Sequence, residues 1–207
     1  MIISMSDILC VTNRNLCKED FLQRVEEIAA NHPKGIILRE KDLSEEEYKA
    51  LAEKVLQICS EYHVPCILHS FADAAIALGA ENIHLPLHIL RGLEEKKKET
   101  FKQIGASCHS AEEAREAERL GCTYITAGHV FVTDCKKGLA PRGLHFLRSV
   151  CENVSIPVYA IGGISGENID AVRKAGAEGA CLMSGLMQCE NVKEYFKALQ
   201  SKHSCQK

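Results

Sequence analysis

Tyr124-Ile-Thr-Ala-Gly-His-Val-Phe-Val-Thr-Asp-Cys-Lys-Lys-Gly-Leu-Ala-Pro-Arg-Gly143 is the stretch on which the fold turns. It opens as a short apolar strand and reaches Gly128. It then presents His129, followed by hydroxyl, carboxylate, thiol and two ammonium groups. Beyond Gly138 the chain is polar and bounded by glycine, and carries no second strand. A buried strand that runs into reactive side chains and an irregular loop is where α/β proteins place their chemistry. His129 is the first candidate catalytic residue.

The same unit repeats on both sides of this stretch. Short apolar runs at Ile8–Thr12, Gly35–Leu38, Cys66–Leu68, Asn82–Leu85, Ile104–Ser107, Thr123–Ala127, Pro157–Ile161 and Gly179–Met183 read as strands. Helical patterns separate them. Phe21, Val25, Ile28 and Ala29 share one face; Ser44-Glu-Glu-Glu47 is a capping box ahead of Tyr48, Leu51, Ala52, Val55, Leu56 and Cys59; Ser110-Ala-Glu-Glu113 is a second one. The mixed-charge run Glu94–Glu99 is expected to be a solvated helix face. Eight strand–helix units within 207 residues predict a single α/β domain over residues 1–207, a (β/α)8 TIM barrel with a loose tail from about residue 200. An open doubly wound sheet is the competing architecture.

Composition narrows the function classes. A formal charge of −3 argues against a nucleic-acid or anionic-membrane surface. No apolar run is long enough to span a bilayer, and Met1-Ile-Ile-Ser-Met-Ser-Asp7 does not resemble a signal peptide, so a cytoplasmic protein is expected. Eleven cysteines, an odd number with no Cys-x-x-Cys pair, are expected to be free thiols; Cys10, Cys66, Cys122 and Cys181 sit in or beside strands as small hydrophobes.

In a closed barrel the strand tails converge on one rim, so the site can be assembled from them. Gly162-Gly163 after the seventh strand and Ser184-Gly185 after the eighth, with Leu186 and Met187 able to form an extra turn, offer backbone donors to a phosphate. His69, His88, His109 and His129 gather at the rim, without metal-ligand spacing; His84 lies within a strand, and His32, His63, His145 and His203 are expected at the surface. Arg39-Glu40-Lys41 ends the second strand, where an inward cation would meet a substrate anion and an internal ion pair would take up at least one member. Lys136 and Lys137 are either solvated or turned to the same anion.

Several of these motifs, taken together, resemble the thiamine-phosphate synthase/TenI superfamily over essentially the whole chain. They are Arg39-Glu-Lys-Asp42, His84-Leu-Pro86, Ser107-Cys-His-Ser110 with Glu112-Glu-Ala114, Gly128-His-Val-Phe-Val-Thr-Asp-Cys-Lys-Lys-Gly138, Ala160-Ile-Gly-Gly-Ile164 and Met183-Ser-Gly185. Synthases of that superfamily displace pyrophosphate from a pyrimidine, using Mg²⁺ held by rim carboxylates in Asn-Asp-Arg and Gly-Gln-x-Asp motifs. Those positions here read His69-Ser70-Phe71 and Pro86-Leu87-His88-Ile89, so Ser70 and Ile89 replace both aspartates. His129 stands where synthases carry proline, and Gly128-His-Val-Phe-Val-Thr133 is similar to the TenI-type thiazole tautomerases. The resemblance therefore implies a cofactor-free isomerase in thiamine biosynthesis, with no metal, which turns the non-aromatic 2-carboxythiazole phosphate tautomer into the aromatic one. In that expectation His129 carries the proton. Lys41 or Arg39 holds the carboxylate; Gly162, Gly163, Met183, Ser184 and Gly185 hold the phosphate; Ser107 and Lys136 supply polar contacts. The partners implied are this small molecule and a second copy of the chain in a homodimer. A Mg²⁺-dependent thiamine-phosphate synthase and a non-catalytic phosphate-binding regulator are the alternatives.

Overall fold

A computed structural model describes residues 7–136 and 138–201, the side chains of residues 200 and 201 apart. Lys137, His203 and the expected loose tail beyond residue 201 lie outside the described residues. Eight parallel strands close into a barrel in sequence order. They are β1 (Ile8–Val11), β2 (Gly35–Leu38), β3 (Cys66–His69), β4 (Asn82–Pro86), β5 (Gln103–Cys108), β6 (Tyr124–Gly128), β7 (Val158–Ile161) and β8 (Gly179–Leu182). Leu9 registers with Gly35 of β2 on one side and with Cys181 of β8 on the other, which closes the ring and removes the sheet edges. The (β/α)8 expectation holds and the open sheet is excluded.

Helices α1 (Phe21–Ala29), α2 (Glu45–Glu61), α3 (Ala72–Ala77), α4 (Leu87–Gly92), α5 (Glu95–Lys98), α6 (Ala111–Arg119), α7 (Gly143–Glu152), α8 (Ile169–Lys174), α9 (Ser184–Gln188) and α10 (Val192–Ser201) pack outside the strands. Among the described residues no helix is long and apolar enough to cross a membrane. The strands are apolar on both faces because both are covered. Ile8, Cys10, Ile36, Leu38 and Leu68 join the helices in the larger core, while Leu9, Val11, Ile37, Ile67, Tyr124, Tyr159 and Cys181 fill the barrel interior. This period of two decides which rim side chains face inward.

Gly105 marks a tight point of the interior. A Cβ there would strike the Tyr124 ring and the His84 ring. Tyr124 in turn packs edge-on to Tyr159 at 5.9 Å. Gly105→Ala is expected to lower stability by about 1–3 kcal/mol through overpacking. A denaturant midpoint shift at constant slope checks it.

Two local expectations are corrected. Lys98, in the run expected to be solvated, is buried and pairs with exposed Glu95 at 2.7 Å, as a long stem can lie along the protein while its ammonium reaches a surface carboxylate. Ser110 caps α6 by accepting from the Glu113 N–H, but the Glu113 carboxylate accepts from the His109 N–H at 2.6 Å, so the box is not reciprocal. The Ser44–Glu47 box is complete. The charged triplet after β2 is resolved by alternation, as described next.

Candidate functional site

A cavity of about 520 Å³ opens at the carboxyl ends of the strands. Ile37 faces the interior, so Arg39 and Lys41, two and four residues on, turn the same way and line the cavity. Glu40 points to the opposite side. It is buried, accepting from the Thr12 hydroxyl at 2.7 Å and from the Arg14 N–H at 3.0 Å, with the Arg14 guanidinium at 3.2 Å. Arg14 also forks onto Asp42 through two 2.7 Å bonds. The internal ion pair expected at this triplet is thus Glu40–Arg14. Arg39 and Lys41 remain for the cavity.

The same rule carries Ile67 to His69, Gly105 to Ser107 and Tyr124 to Thr126, all of them cavity residues. His69 is buried with Nδ1 2.7 Å from the Ser70 hydroxyl, and its ring stacks 5.8 Å from that of His84. Burial, with His84, Arg39 and Lys41 as lesser causes, pushes His69 down to about 2. Burial and then Arg39 push His84 down to about 3. Both imidazoles are neutral hydrogen-bonding groups at physiological pH. His84 is structural, as its place inside a strand suggested. Its role is specific: one ring nitrogen lies 3.0 Å from the Tyr124 hydroxyl and the other 2.9 Å from the Ser107 hydroxyl.

Tyr48 of α2 supports this floor from outside. Its hydroxyl donates to the Leu38 carbonyl and accepts from the His69 N–H, both at 2.7 Å, tying the last turns of β2 and β3 together under Arg39 and His69. Tyr48→Phe leaves a buried donor and a buried acceptor unpaired, an expected loss of about 1–3 kcal/mol. Thermal melting of the variant checks it.

The cations are the electrostatic feature of the cavity. Arg39, Lys41 and Lys136 all line it, and none of them forms an ion pair with a described carboxylate. Burial pulls the Arg39 guanidinium below its ordinary value. Partial desolvation, then the charges of Arg39 and Lys136, pull the Lys41 ammonium below the usual lysine range.

Gly162, Gly163, Met183, Ser184 and Gly185, at the ends of β7 and β8, line the same cavity. Gly162 and Gly163 have φ of +99° and +65°, and a Cβ on either would strike the loop after β6, at His129 and at Phe131–Val132. The loop lies against them through Val130 N–H to Ile161 O at 2.9 Å and Phe131 N–H to Gly162 O at 3.0 Å. Gly185 has another reason to lack a Cβ: the Tyr195 hydroxyl of α10 occupies that space. The extra turn expected at Leu186 and Met187 is α9. Its first-turn N–H groups have no side-chain cap at Met183, and buried Arg24 of α1 fixes its far end by donating to the Leu186 and Cys189 carbonyls at 3.2 and 2.7 Å.

His88, His109 and His129 also border the cavity, whereas His32, His63 and His145 are exposed, as expected. His109 Nδ1 lies 2.8 Å from the Gly128 carbonyl oxygen. Among the described residues no group of three His, Cys, Asp or Glu side chains is placed to hold a metal ion. Ser70 is turned to His69, and Ile89 packs against the outer core and does not line the cavity. Hard-oxygen cages need carboxylates, so the residues at these positions do not fit a carboxylate-held Mg²⁺. Described cysteines are free, and Cys10, Cys66, Cys122 and Cys181 are buried.

Sequence reasoning missed Thr126, Glu113, Arg91, Cys135 and Tyr195 among the lining residues. Thr126 follows from alternation with Tyr124. Nothing local marks Tyr195, which reaches the cavity because α10 packs against α9 and puts the Tyr195 hydroxyl beside Gly185.

The family model for thiamine monophosphate synthase matches residues 8–186. The chain belongs to that family. It is 34% identical to the thiamine-phosphate synthase of Alkaliphilus oremlandii over 197 residues, 92% of each chain. It is 34% identical to that of Syntrophomonas wolfei over 207 residues, 97% of each. Among solved structures, thiamine phosphate pyrophosphorylase from Pyrococcus furiosus superposes with a TM-score of 0.80 at 30% identity, covering 94% of each chain.

These relatives correct the expectation of a thiazole tautomerase, an isomerase. They are named for a synthase or pyrophosphorylase, a group transfer, and their likeness covers 92–97% of the chain. The isomerase expectation rested on His129 in the loop after β6 and on Ser70 and Ile89 standing where synthases carry aspartates. In the structure the His129 ring is turned to its own loop, with Nε2 3.4 Å from the Leu139 carbonyl oxygen.

Proposed function

We propose that the chain is a transferase of the thiamine-phosphate synthase kind, joining a phosphorylated thiazole to a pyrimidine that arrives as its diphosphate and releasing pyrophosphate. The observation that carries this reading is that Arg39, Lys41 and Lys136, without carboxylate partners among the described residues, line one cavity together with the glycine-rich ends of β7 and β8. The names and coverage of the relatives support it.

The residues divide between the two substrates. When the bond to the diphosphate breaks, its electron pair leaves on oxygen, and preorganised cations stabilise the charge that develops there. Arg39, Lys41 and Lys136 fill that role. The backbone around Gly162, Gly163, Ser184 and Gly185, with Met183 beside it, takes the thiazole phosphate. Ser107, oriented by His84, offers its hydroxyl to a ring, and neutral His69 borders the same space. His129 borders the cavity from the loop after β6. Fixing both rings in one cavity supplies the proximity that a bimolecular substitution needs.

The test is direct. The purified chain is incubated with the pyrimidine diphosphate and thiazole phosphate, and thiamine phosphate and pyrophosphate are quantified together. Equal amounts of both products above the enzyme-free rate are expected. Absence of product with and without added Mg²⁺ would sink the transferase reading.

A further inference from the structure

We infer that this cavity holds a diphosphate through side-chain cations alone, without a divalent ion between the protein and the anion. The inference rests on the transferase reading for its choice of anion, and on geometry for the rest. A metal-bridged diphosphate needs carboxylates on the rim beside it. Here the rim positions after β3 and β4 carry a hydroxyl turned to His69 and an isoleucine packed outward. The carboxylate that lines the cavity, Glu113, and the one in the charged triplet after β2, Glu40, are already committed. Glu40 is buried on the far side of β2 under Thr12 and Arg14, and Glu113 accepts from the His109 N–H at 2.6 Å.

Positive charge stands on the β2 side and in the loop after β6. Arg39 and Lys41 come from alternate positions after β2 and share one face. Lys136 comes from the loop after β6, close enough for its charge to act on Lys41. Arg91, a further cation on the lining, is held away by two bonds of 2.8 and 2.7 Å to Glu116. A half-buried guanidinium with no carboxylate partner carries an uncompensated desolvation cost in the empty cavity, which an anion relieves. Arginine also matches phosphate oxygens through its planar fork, an arrangement no intervening metal is needed to complete.

Isothermal titration of the wild-type chain with inorganic pyrophosphate, in chelator and then in Mg²⁺, tests the inference. Binding is expected in chelator, unchanged or weakened by Mg²⁺, because the magnesium complex presents less negative charge to the cations. Arg39→Met is expected to weaken binding in chelator by tenfold or more, about 1.4 kcal/mol. Lys102→Met, which removes a surface lysine paired with Glu81, serves as the control for bulk charge and is expected to leave binding unchanged. Binding that appears only with Mg²⁺, or that Arg39→Met leaves intact, overturns the inference. Pyrophosphate bound in chelator by a chain that makes no thiamine phosphate sustains the inference while the transferase reading fails. Product formation together with strictly Mg²⁺-dependent pyrophosphate binding does the reverse.

Discussion

Lys41→Gln is expected to lower kcat/KM for thiamine-phosphate formation by about 10²–10³, or about 2.7–4 kcal/mol of transition-state stabilisation. The cost falls on the transition state because negative charge grows on the departing diphosphate, and Lys41 faces it from the same side as Arg39. Steady-state kinetics on both substrates reads the result, and a fall in kcat as well as kcat/KM is the signature. Removal of a mere surface lysine would change neither. The pH dependence has a definite sign. Partial desolvation first, then Arg39 and Lys136, lower the Lys41 pKa, so the ammonium loses its proton earlier than a free lysine as pH climbs. Affinity for the diphosphate is therefore full at neutral pH and falls as pH rises through the lowered value. A bound anion pulls that value back up, so binding takes up protons in this alkaline window. By the same linkage the empty fold, binding fewer protons than the unfolded chain there, gains stability as pH rises through the window. Titration calorimetry in two buffers of different ionisation heat measures the uptake, and Lys41→Gln should abolish it.

Gly163→Ala is expected to raise KM for the thiazole phosphate by tenfold or more and to lower stability by more than the about 1–2 kcal/mol that a left-handed backbone costs an L-residue. Gly163 sits at φ +65°, and its Cβ would meet the Val132 carbonyl oxygen and the Phe131 backbone, which are not free to move aside. The loop carrying His129 would have to lift from β7, opening the phosphate wall. Gly79→Ala is the matched control. Gly79 has φ +64° with nothing within 4 Å of the Cβ position, so it carries the conformational cost and no collision. Thermal melts of both variants and KM of both separate strain from loss of the wall. Equal effects in the two variants would remove Gly163 from the site.

Much of the candidate site was legible before the fold. Arg39, Lys41, Ser107, His129, Lys136, Gly162, Gly163, Met183, Ser184 and Gly185 all lie at strand ends or in the loops after them, and all line the one cavity. Their roles were less legible. Gly185 reads as a backbone donor, yet its missing Cβ also makes room for Tyr195. His129 reads as a proton carrier, and its Nε2 faces a carbonyl of its own loop. A residue type records which chemistry is available but not which neighbour has already used it.

The sequence by itself determined the alternation of two-sided apolar strands with one-sided helices, because the periods of two and 3.6 are local properties of the backbone. It also determined that reactive groups follow the strands. Only the tertiary structure decided that Glu40 turns away to Arg14 while Arg39 and Lys41 turn in, that His84 holds Ser107, and that Tyr195 reaches the rim. Each of these depends on a partner far away in the chain, and on the stagger of strands that exists only once the barrel has closed.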